Sequence, residues 1–234
     1  MISSAERTRR RIVASIRRIF FGCNYNDKRI KSQFDALKDR LEKRFPIQCV
    51  VIDKRKNKPA QDIWKDIKDE IDQCGLVFFD VTAFRPNVVL ELGYALALKA
   101  ESQVYITFRK RKSKGKQPSW LLSDISHLNR FEYTTVAKLD EFVEEQLRGS
   151  EWMQRVSDYE RRCESQTNAP EKYKAEGLKV LHLLRDEGPK TAEQIREITR
   201  GSAIRQERLR HLLTTTRVAR RTRGQPGRFY LPED

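Results

Sequence analysis

The sequence predicts an α/β fold, a doubly wound parallel sheet of five strands, with a small helical module following it in the chain. Short apolar runs alternate with helical apolar patterns up to residue 149, and strands that alternate with helices form parallel sheets covered on both faces. From residue 171 onward, short helical patterns follow one another. We therefore expect an α/β domain over residues 1–149, a partly helical linker over 150–170 and a second domain over 171–234.

The predicted strands are short apolar runs rich in Val, Ile and Phe, which favour sheets. They cover residues 16–22, 47–52, 75–81, 104–108 and 131–133. Between them, apolar residues recur three and four positions apart, which is the period of a helix. The helices so predicted contain Ile30, Phe34, Leu37 and Leu41; Ile63, Trp64, Ile67 and Ile71; residues 87–99; and Leu139, Phe142, Val143 and Leu147. The strand order is not readable from sequence, and a flavodoxin-like order is our expectation.

The C-terminal module has the element order of a winged helix-turn-helix domain. Leucines at helical spacing predict a first helix that ends near Gly188. Thr191 and Gln194 have the spacing of a capping box, which starts a second helix. Ser202 can cap a third helix, and two short β-like pieces follow within residues 217–231.

Basic residues are concentrated in this module. The chain carries a formal net charge of +15, which favours polyanionic partners because Lys and Arg neutralise phosphates. Between residues 200 and 228 there are nine arginines and one acid, Glu207. We expect nucleic-acid binding through the third helix and the wing, by Arg205, Arg208, Arg217, Arg220, Arg221, Arg223 and Arg228. The alternatives are a winged helix that docks protein, and a charge that only aids solubility.

Several functional classes are disfavoured. The four cysteines form no CxxC pair, so we expect neither a zinc site nor a disulfide framework. No apolar stretch approaches the ~20 residues needed to cross a bilayer, and the basic N-terminus lacks the apolar segment of a secretory signal. Gly-rich phosphate motifs are absent. We expect a cytoplasmic protein with no membrane association, no cofactor and no metal.

Two carboxylates mark a candidate catalytic site. Asp80 ends the third strand, and a helix is expected to begin with Asn87 as its N-cap and Glu91 in its first turn, where the helix dipole favours the ionised form. Open α/β sheets bind ligands at the carboxyl ends of strands. An ionised carboxylate there can attack a sugar C1′ or stabilise an oxocarbenium-like transition state. Ordinary capping roles for Glu91 and Asp80 are the alternatives.

The segment ELGYALAL at residues 91–98 is similar to the nucleophile segment of nucleoside 2-deoxyribosyltransferases, and IFFGCNYND at 19–27 resembles their first strand and following loop. The pattern Asp–turn–Asn–Val–x–x–Glu–Leu–Gly also occurs in TIR-like nucleotide-binding proteins. The resemblance covers roughly residues 15–149. It implies that Glu91 is the nucleophile and that Asp80 orients the substrate or handles a proton. It further implies a substrate pocket formed by Gly22, Asn24, Tyr25, Asn87 and Tyr94.

Phe20 departs from this pattern, because the transferases often carry a tyrosine at that point of the first strand. The hydroxyl that would orient the nucleophile is absent unless Tyr25 or Tyr94 supplies one. The departure favours hydrolysis, or another glycosidic substrate such as NAD, over base exchange. The substrate expected is therefore a nucleotide, a nucleoside or NAD, and the activity that of an N-glycosidase.

A transferase-like domain joined to a winged helix also resembles the toxic effectors of bacterial retrons, which act in anti-phage defence. That resemblance implies two partners, a reverse transcriptase and its RNA–DNA hybrid product, and we expect a homo-oligomer. The alternative functions are a non-enzymatic nucleotide sensor that regulates DNA, and a DNA-binding regulator whose first domain only oligomerises.

Overall fold

The computed structural model describes residues 15–51, 60–82, 84–110, 129–222 and 227–232. The chain divides into two compact units. The first consists mainly of residues 1–43 and 48–145, and the second of residues 44–47 and 146–233.

The first unit contains a parallel sheet whose strand order is β2-β1-β3-β4-β5. Each pair of neighbouring strands is parallel. This confirms the α/β class and the flavodoxin-like order. The strands are β1 (Ser15–Gly22), β2 (Gln48–Val50), β3 (Cys74–Asp80), β4 (Val104–Arg109) and β5 (Arg130–Tyr133).

Four helices connect and follow these strands within the described residues. They are α1 (Lys28–Arg44), α2 (Ala60–Gln73), α3 (Pro86–Leu98) and α4 (Val136–Arg148), with a short 3₁₀ turn over Glu101–Gln103 before β4. Asp27 begins α1, since its Oδ1 accepts hydrogen bonds from the backbone N–H groups of Arg29 (2.9 Å) and Ile30 (3.3 Å). An acceptor at this place satisfies backbone donors that the first helical turn leaves free.

The predicted N-cap of α3 is wrong by two residues. Arg85 is the N-cap, it makes no side-chain capping bond, and Pro86 occupies the first helical position. Proline suits that position because the N–H it lacks would have no partner inside the helix. Asn87 is therefore not the cap, and Glu91 lies in the second turn rather than the first.

Strand β3 is central, and every one of its residues is buried. Val77 and Phe79 pack with residues of α2 and α3 in one cluster. Phe78 packs with aromatic rings on the other face, including Phe21 and Tyr105. Burial on both faces explains why the sequence here is a continuous apolar run and not an alternating one.

The second unit contains α5 (Glu151–Gln166), α6 (Pro170–Glu187), α7 (Ala192–Ile198) and α8 (Gln206–Thr215), with strands β6 (Lys190–Thr191), β7 (Arg220–Arg221) and β8 (Arg228–Tyr230). The strands form an antiparallel sheet in the order β6-β8-β7. The predicted capping box is present at the start of α7, between Thr191 and Gln194. Helices α6 to α8 followed by β7 and β8 are the elements that the winged-helix prediction requires, and that assignment stays a prediction.

Two local expectations are corrected in this unit. The predicted linker is occupied by the regular helix α5, which buries Trp152, Met153 and Tyr159 among others and packs against α6 and α8. Ser202 does not cap α8, which begins after Arg205; its hydroxyl donates instead to the Thr199 carbonyl at 2.6 Å.

None of the described helices is both long and apolar enough to span a membrane. Within the same residues, no group of three or more His, Cys, Asp and Glu side chains is placed to hold a metal ion.

Candidate active site

A cavity of about 690 Å³ lies where the loop after β1 meets the start of α3. Strands β1 and β3 are neighbours, and the chain order reverses between them. Doubly wound sheets bind their ligands at this switch point, outside the carboxyl ends of the strands. The loop after β1, the first half of α2 and the start of α3 contribute the lining residues, which are Cys23, Asn24, Tyr25, Asn26, Ile63, Trp64, Ile67, Arg85, Pro86, Asn87, Val88, Leu90 and Glu91.

Glu91 is the one charged residue of α3. It lies at the edge of the helix face that buries Val88, Leu92 and Ala95, since residues three and four positions apart share a face. Its side chain is half-buried. No described residue forms a hydrogen bond or an ion pair with its carboxylate. A half-buried carboxylate that no described residue binds is available to act on a ligand in the cavity.

Gly22, at the end of β1, lies directly beneath this carboxylate. A β-carbon built on Gly22 would come within 3.1 Å of Glu91 Oε2 and within 2.4 Å of the Phe79 ring. A residue with a side chain would therefore push the carboxylate or the core ring out of place. The resemblance implied that Gly22 lines the cavity, and it does not. Its lack of a side chain instead makes the position of Glu91 possible.

Burial raises the pKa of Glu91 to about 7. The sequence prediction was that the helix dipole would favour the ionised form. The dipole acts within the first turn of a helix, whereas Glu91 lies in the second, so loss of water dominates. Near neutral pH the carboxyl group is consequently poised between its protonated and ionised forms.

Asp80 has a different environment. It is 3% exposed, and both of its oxygens accept hydrogen bonds, from Tyr133 Oη at 2.6 Å and from the Thr82 backbone N–H at 3.0 Å. Burial raises its pKa, although these hydrogen bonds oppose the shift. Asp80 is not among the residues that line the cavity. The two predicted catalytic carboxylates thus lie at the same end of the sheet, but only Glu91 faces the cavity.

The remaining predicted substrate contacts also differ in whether they line the cavity. Asn24, Tyr25 and Asn87 line the cavity. Tyr25 Oη donates to Asp35 Oδ1 at 3.1 Å, so its hydroxyl is directed at α1. Tyr94 lies outside the lining, where its hydroxyl donates to Asp72 at 3.2 Å.

Sequence reasoning missed Trp64 and Arg85 in the lining. Trp64 was assigned to the core, yet its half-buried ring forms one wall and packs edge-on against Tyr94. Arg85 is exposed at the rim, in a turn where Phe84 has a left-handed φ of 41°. Cys23 also faces the cavity, and burial with the nearby charges of Asp80 and Glu91 raises the pKa of its thiol, which keeps it unreactive. Nothing in the sequence distinguishes Trp64, near the N-terminal end of an amphipathic helix, from a core residue.

The predicted nucleic-acid contacts lie in the second unit. Arg205 is the N-cap of α8, and Arg208 lies in its first turn, donating to the carbonyl (3.3 Å) and Oε1 (2.9 Å) of Gln166. The remaining described arginines of the set, Arg217, Arg220, Arg221 and Arg228, are all exposed. Arg223 lies outside the described residues.

Arg217 and Arg221 have distinctive surroundings. Arg217 has a left-handed φ of 60° in the turn after α8, a conformation that usually favours glycine. The Arg221 guanidinium lies 5.7 Å from the centre of the Phe229 ring. A β-carbon on Gly227 would come within 2.6 Å of Arg221 Nε, so a side chain there would require the exposed Arg221 guanidinium to shift.

A comparison with known proteins finds no protein family and no curated protein that matches this chain. Among solved structures, the CMP N-glycosidase BcmB of Clostridium botulinum is similar at 14% identity with a TM-score of 0.41. The likeness covers 54% of this chain and 97% of BcmB. At that level the likeness says nothing about the chemistry of this chain.

Proposed function

We propose that the first unit is an N-glycosidase that cleaves the base–sugar bond of a nucleotide, a nucleoside or NAD. The observation that carries the proposal is Glu91, which faces the cavity without a described hydrogen-bond or ion-pair partner. A glutamate kept only for structure would normally cap a helix or pair with a cation, and Glu91 does neither. Its burial at the switch point of the sheet is what a nucleophile for an electrophilic carbon requires.

In the proposed reaction the ionised Glu91 carboxylate attacks C1′ of the sugar. The bond from C1′ to the base nitrogen breaks, and its electron pair leaves with the base. A water molecule then attacks C1′ of the glycosyl ester and gives one proton to solvent, while the ester bond breaks, which releases the sugar and returns Glu91 to its carboxylate form. Positive charge develops on the sugar during both steps, and the half-buried Glu91 carboxylate stabilises it.

The single acid in the described lining bears on the choice among these substrates. Most glycosidases use a second carboxylic acid to protonate the leaving group. Asp80 is held by Tyr133 and Thr82 and does not line the cavity, so we assign the proton for a neutral base to solvent. A cationic base such as the nicotinamide of NAD leaves as a neutral ring and needs no proton. This chemistry favours NAD over nucleosides.

We also propose that the second unit is a winged helix-turn-helix domain that binds nucleic acid. Arg217, Arg220 and Arg228 support this proposal, because they are exposed and have no ion-pair partner among the described residues. The pairing of the two units supports a role as the toxic effector of a retron-like anti-phage system. In such a system a reverse transcriptase and its RNA–DNA product would hold the enzyme inactive. Nucleic acid that co-purifies with the protein from its host would identify that partner.

The decisive experiment incubates the purified protein with NAD, with a nucleoside 5′-monophosphate and with the matching nucleoside, and separates any released base by chromatography. Glu91→Gln is the matched control, since it keeps the size of the side chain and removes its charge. We expect base release from NAD by the parent protein and a loss of at least about a thousandfold in the variant. Full turnover by Glu91→Gln would reject Glu91 as the nucleophile, and base release from no substrate would reject the N-glycosidase and leave a nucleotide-sensing regulator.

A further inference from the structure

The side-chain amide of Asn24 lines the cavity, and the proposed reaction gives it no role. Its residue is 5% exposed, and its Nδ2 has no hydrogen-bond partner among the described residues. Leaving a buried amide donor unpaired costs free energy, and native proteins rarely tolerate it without a reason. The Nδ2 atom itself is buried, so a rotation of the side chain toward a ligand acceptor in the cavity would relieve that cost.

The loop that carries Asn24 is held by its backbone and not by this side chain. The Asn24 carbonyl accepts from the Asp27 N–H at 3.1 Å, and Asp27 in turn caps α1 through Arg29 and Ile30. The amide is therefore attached to a fixed turn. Its side chain makes no described contact that the turn needs, which argues against a purely structural role.

The amide also shares a cavity lining with the proposed nucleophile. Glu91 Oε2 lies against Gly22, within 3.1 Å of where its β-carbon would be. Asn24 follows Gly22 by two residues, which span at most about 7 Å of chain. A sugar whose C1′ contacts Glu91 thus places its neighbouring substituents within reach of Asn24. The hydroxyl on C2′ is the substituent next to the reacting carbon.

We infer that Asn24 binds the 2′-hydroxyl of the sugar and that the enzyme prefers ribosyl to 2′-deoxyribosyl substrates. The inference rests on the proposed function of the same cavity. A hydroxyl can accept from Nδ2 and donate to Oδ1, so it satisfies the amide in either orientation. A site built to bind a substrate hydroxyl rejects an analogue without it, because its own polar group is then left unpaired.

The test compares NAD with its analogue lacking the 2′-hydroxyl of the nicotinamide ribose. Removing that hydroxyl also makes the glycosidic bond intrinsically easier to break, so the measured quantity is how a variant changes the ratio of kcat/KM for the two. Asn24→Ala should lower this ribo-to-deoxy ratio by about ten- to a hundredfold. Asn26→Ala, which removes an exposed amide from the same lining, should leave it unchanged. Equal losses on both substrates, or the same shift from Asn26→Ala, would overturn the inference.

A binding measurement separates this inference from the proposed function. Calorimetric titration of Glu91→Gln with both ligands needs no turnover. We expect tighter binding of NAD than of the deoxy analogue by about tenfold or more, and a loss of that preference when Asn24→Ala is added. Absence of base release together with this preference would reject the N-glycosidase and keep the role of Asn24. Equal binding of the two ligands to Glu91→Gln would reject the role of Asn24. Thermal melting of each variant verifies that it is folded.

Discussion

Asp80 and Glu91 are carboxylates at the same end of one sheet, but their surroundings differ. Asp80 is buried and accepts hydrogen bonds from Tyr133 and Thr82. Glu91 faces a cavity, with no hydrogen bond or ion pair to any described residue. Burial raises the pKa of both groups. The difference teaches that burial alone does not mark a catalytic acid. Asp80 is satisfied by the protein, whereas Glu91 needs a ligand to satisfy it.

The pH dependence of the proposed reaction is the strongest test of the role of Glu91. A nucleophile must be ionised, and Glu91 titrates at about 7. The value of kcat/KM should therefore fall about tenfold for each unit of pH below 7, to about a hundredth at pH 5, and level off above 8. Initial rates between pH 5 and 9 measure this profile. Activity that instead rises toward acidic pH would mean that Glu91 acts as an acid.

Substitution at Asp80 should affect stability more than chemistry. Asp80→Asn replaces one of two hydrogen-bond accepting oxygens by an NH2 group that cannot accept, and Tyr133→Phe removes the donor of one of these bonds. Each should lower the free energy of unfolding by about 2 kcal/mol, measured by urea denaturation.

The activity of the same two variants decides what Asp80 does. Folded enzyme with either change should retain activity within about tenfold of the parent, because neither group lines the cavity. A loss from Asp80→Asn as large as that from Glu91→Gln, with Tyr133→Phe still active, would return Asp80 to a chemical role.

Glu91→Gln should stabilise the fold at alkaline pH while it removes activity. The folded-state pKa of Glu91 is raised from 4.5 to about 7. Between these values the unfolded chain has lost the proton and the folded chain retains it, so the stability of the parent protein falls as pH rises. Glu91→Gln cannot ionise at this position, so its stability does not fall in this way. It should match the parent at pH 4 and exceed it by on the order of 2 kcal/mol at pH 8. Urea denaturation at both values tests this, and equal stability at pH 8 would show that Glu91 is not buried as described.

The same contrast between partnered and unpartnered groups extends to two arginines of the second unit. The Arg208 guanidinium donates to Gln166, whereas Arg220 is exposed without a described ion pair. Arg220→Gln should weaken nucleic-acid binding severalfold and lower the slope of log K against log salt by about 1. Arg208→Gln should change that slope less. Fluorescence anisotropy with a labelled duplex at several salt concentrations measures both, and an unchanged slope for Arg220→Gln would favour a protein-docking surface.

Much of the first unit follows from local sequence. The continuous apolar run of β3 and the helical spacing around it predicted a parallel sheet, because a strand buried on both faces has no polar alternation. The boundary of α3 was harder. Asn87 is a good capping residue by type, but Pro86 fits the first helical position better, and the N-cap is Arg85, two residues earlier. Residues 150–170 were predicted to be a partly helical linker, although the buried residues of α5 have helical spacing.

Glu91 could be proposed as the nucleophile from sequence, because ELGYALAL at residues 91–98 is similar to the nucleophile segment of nucleoside 2-deoxyribosyltransferases and follows a predicted buried strand. The roles of its neighbours could not. Tyr94 lies near Glu91 in sequence, yet its hydroxyl is directed at Asp72. Trp64 is distant in sequence, yet it shares the cavity wall with Glu91. Which side chains meet in a cavity depends on how helices pack on the sheet, and no local pattern records that.

By itself the sequence determined the alternation of strands and helices, the lone acid of α3 and the concentration of arginines near the C-terminus, because these depend on residue type and spacing along the chain. Only the tertiary structure decided that Glu91 is half-buried and unpaired, that Asp80 is held by Tyr133, and that the Asn24 amide donor has no partner. Burial and hydrogen bonding are set by residues that are distant in the chain and adjacent in space, and these set the pKa of Glu91 on which the proposed chemistry depends.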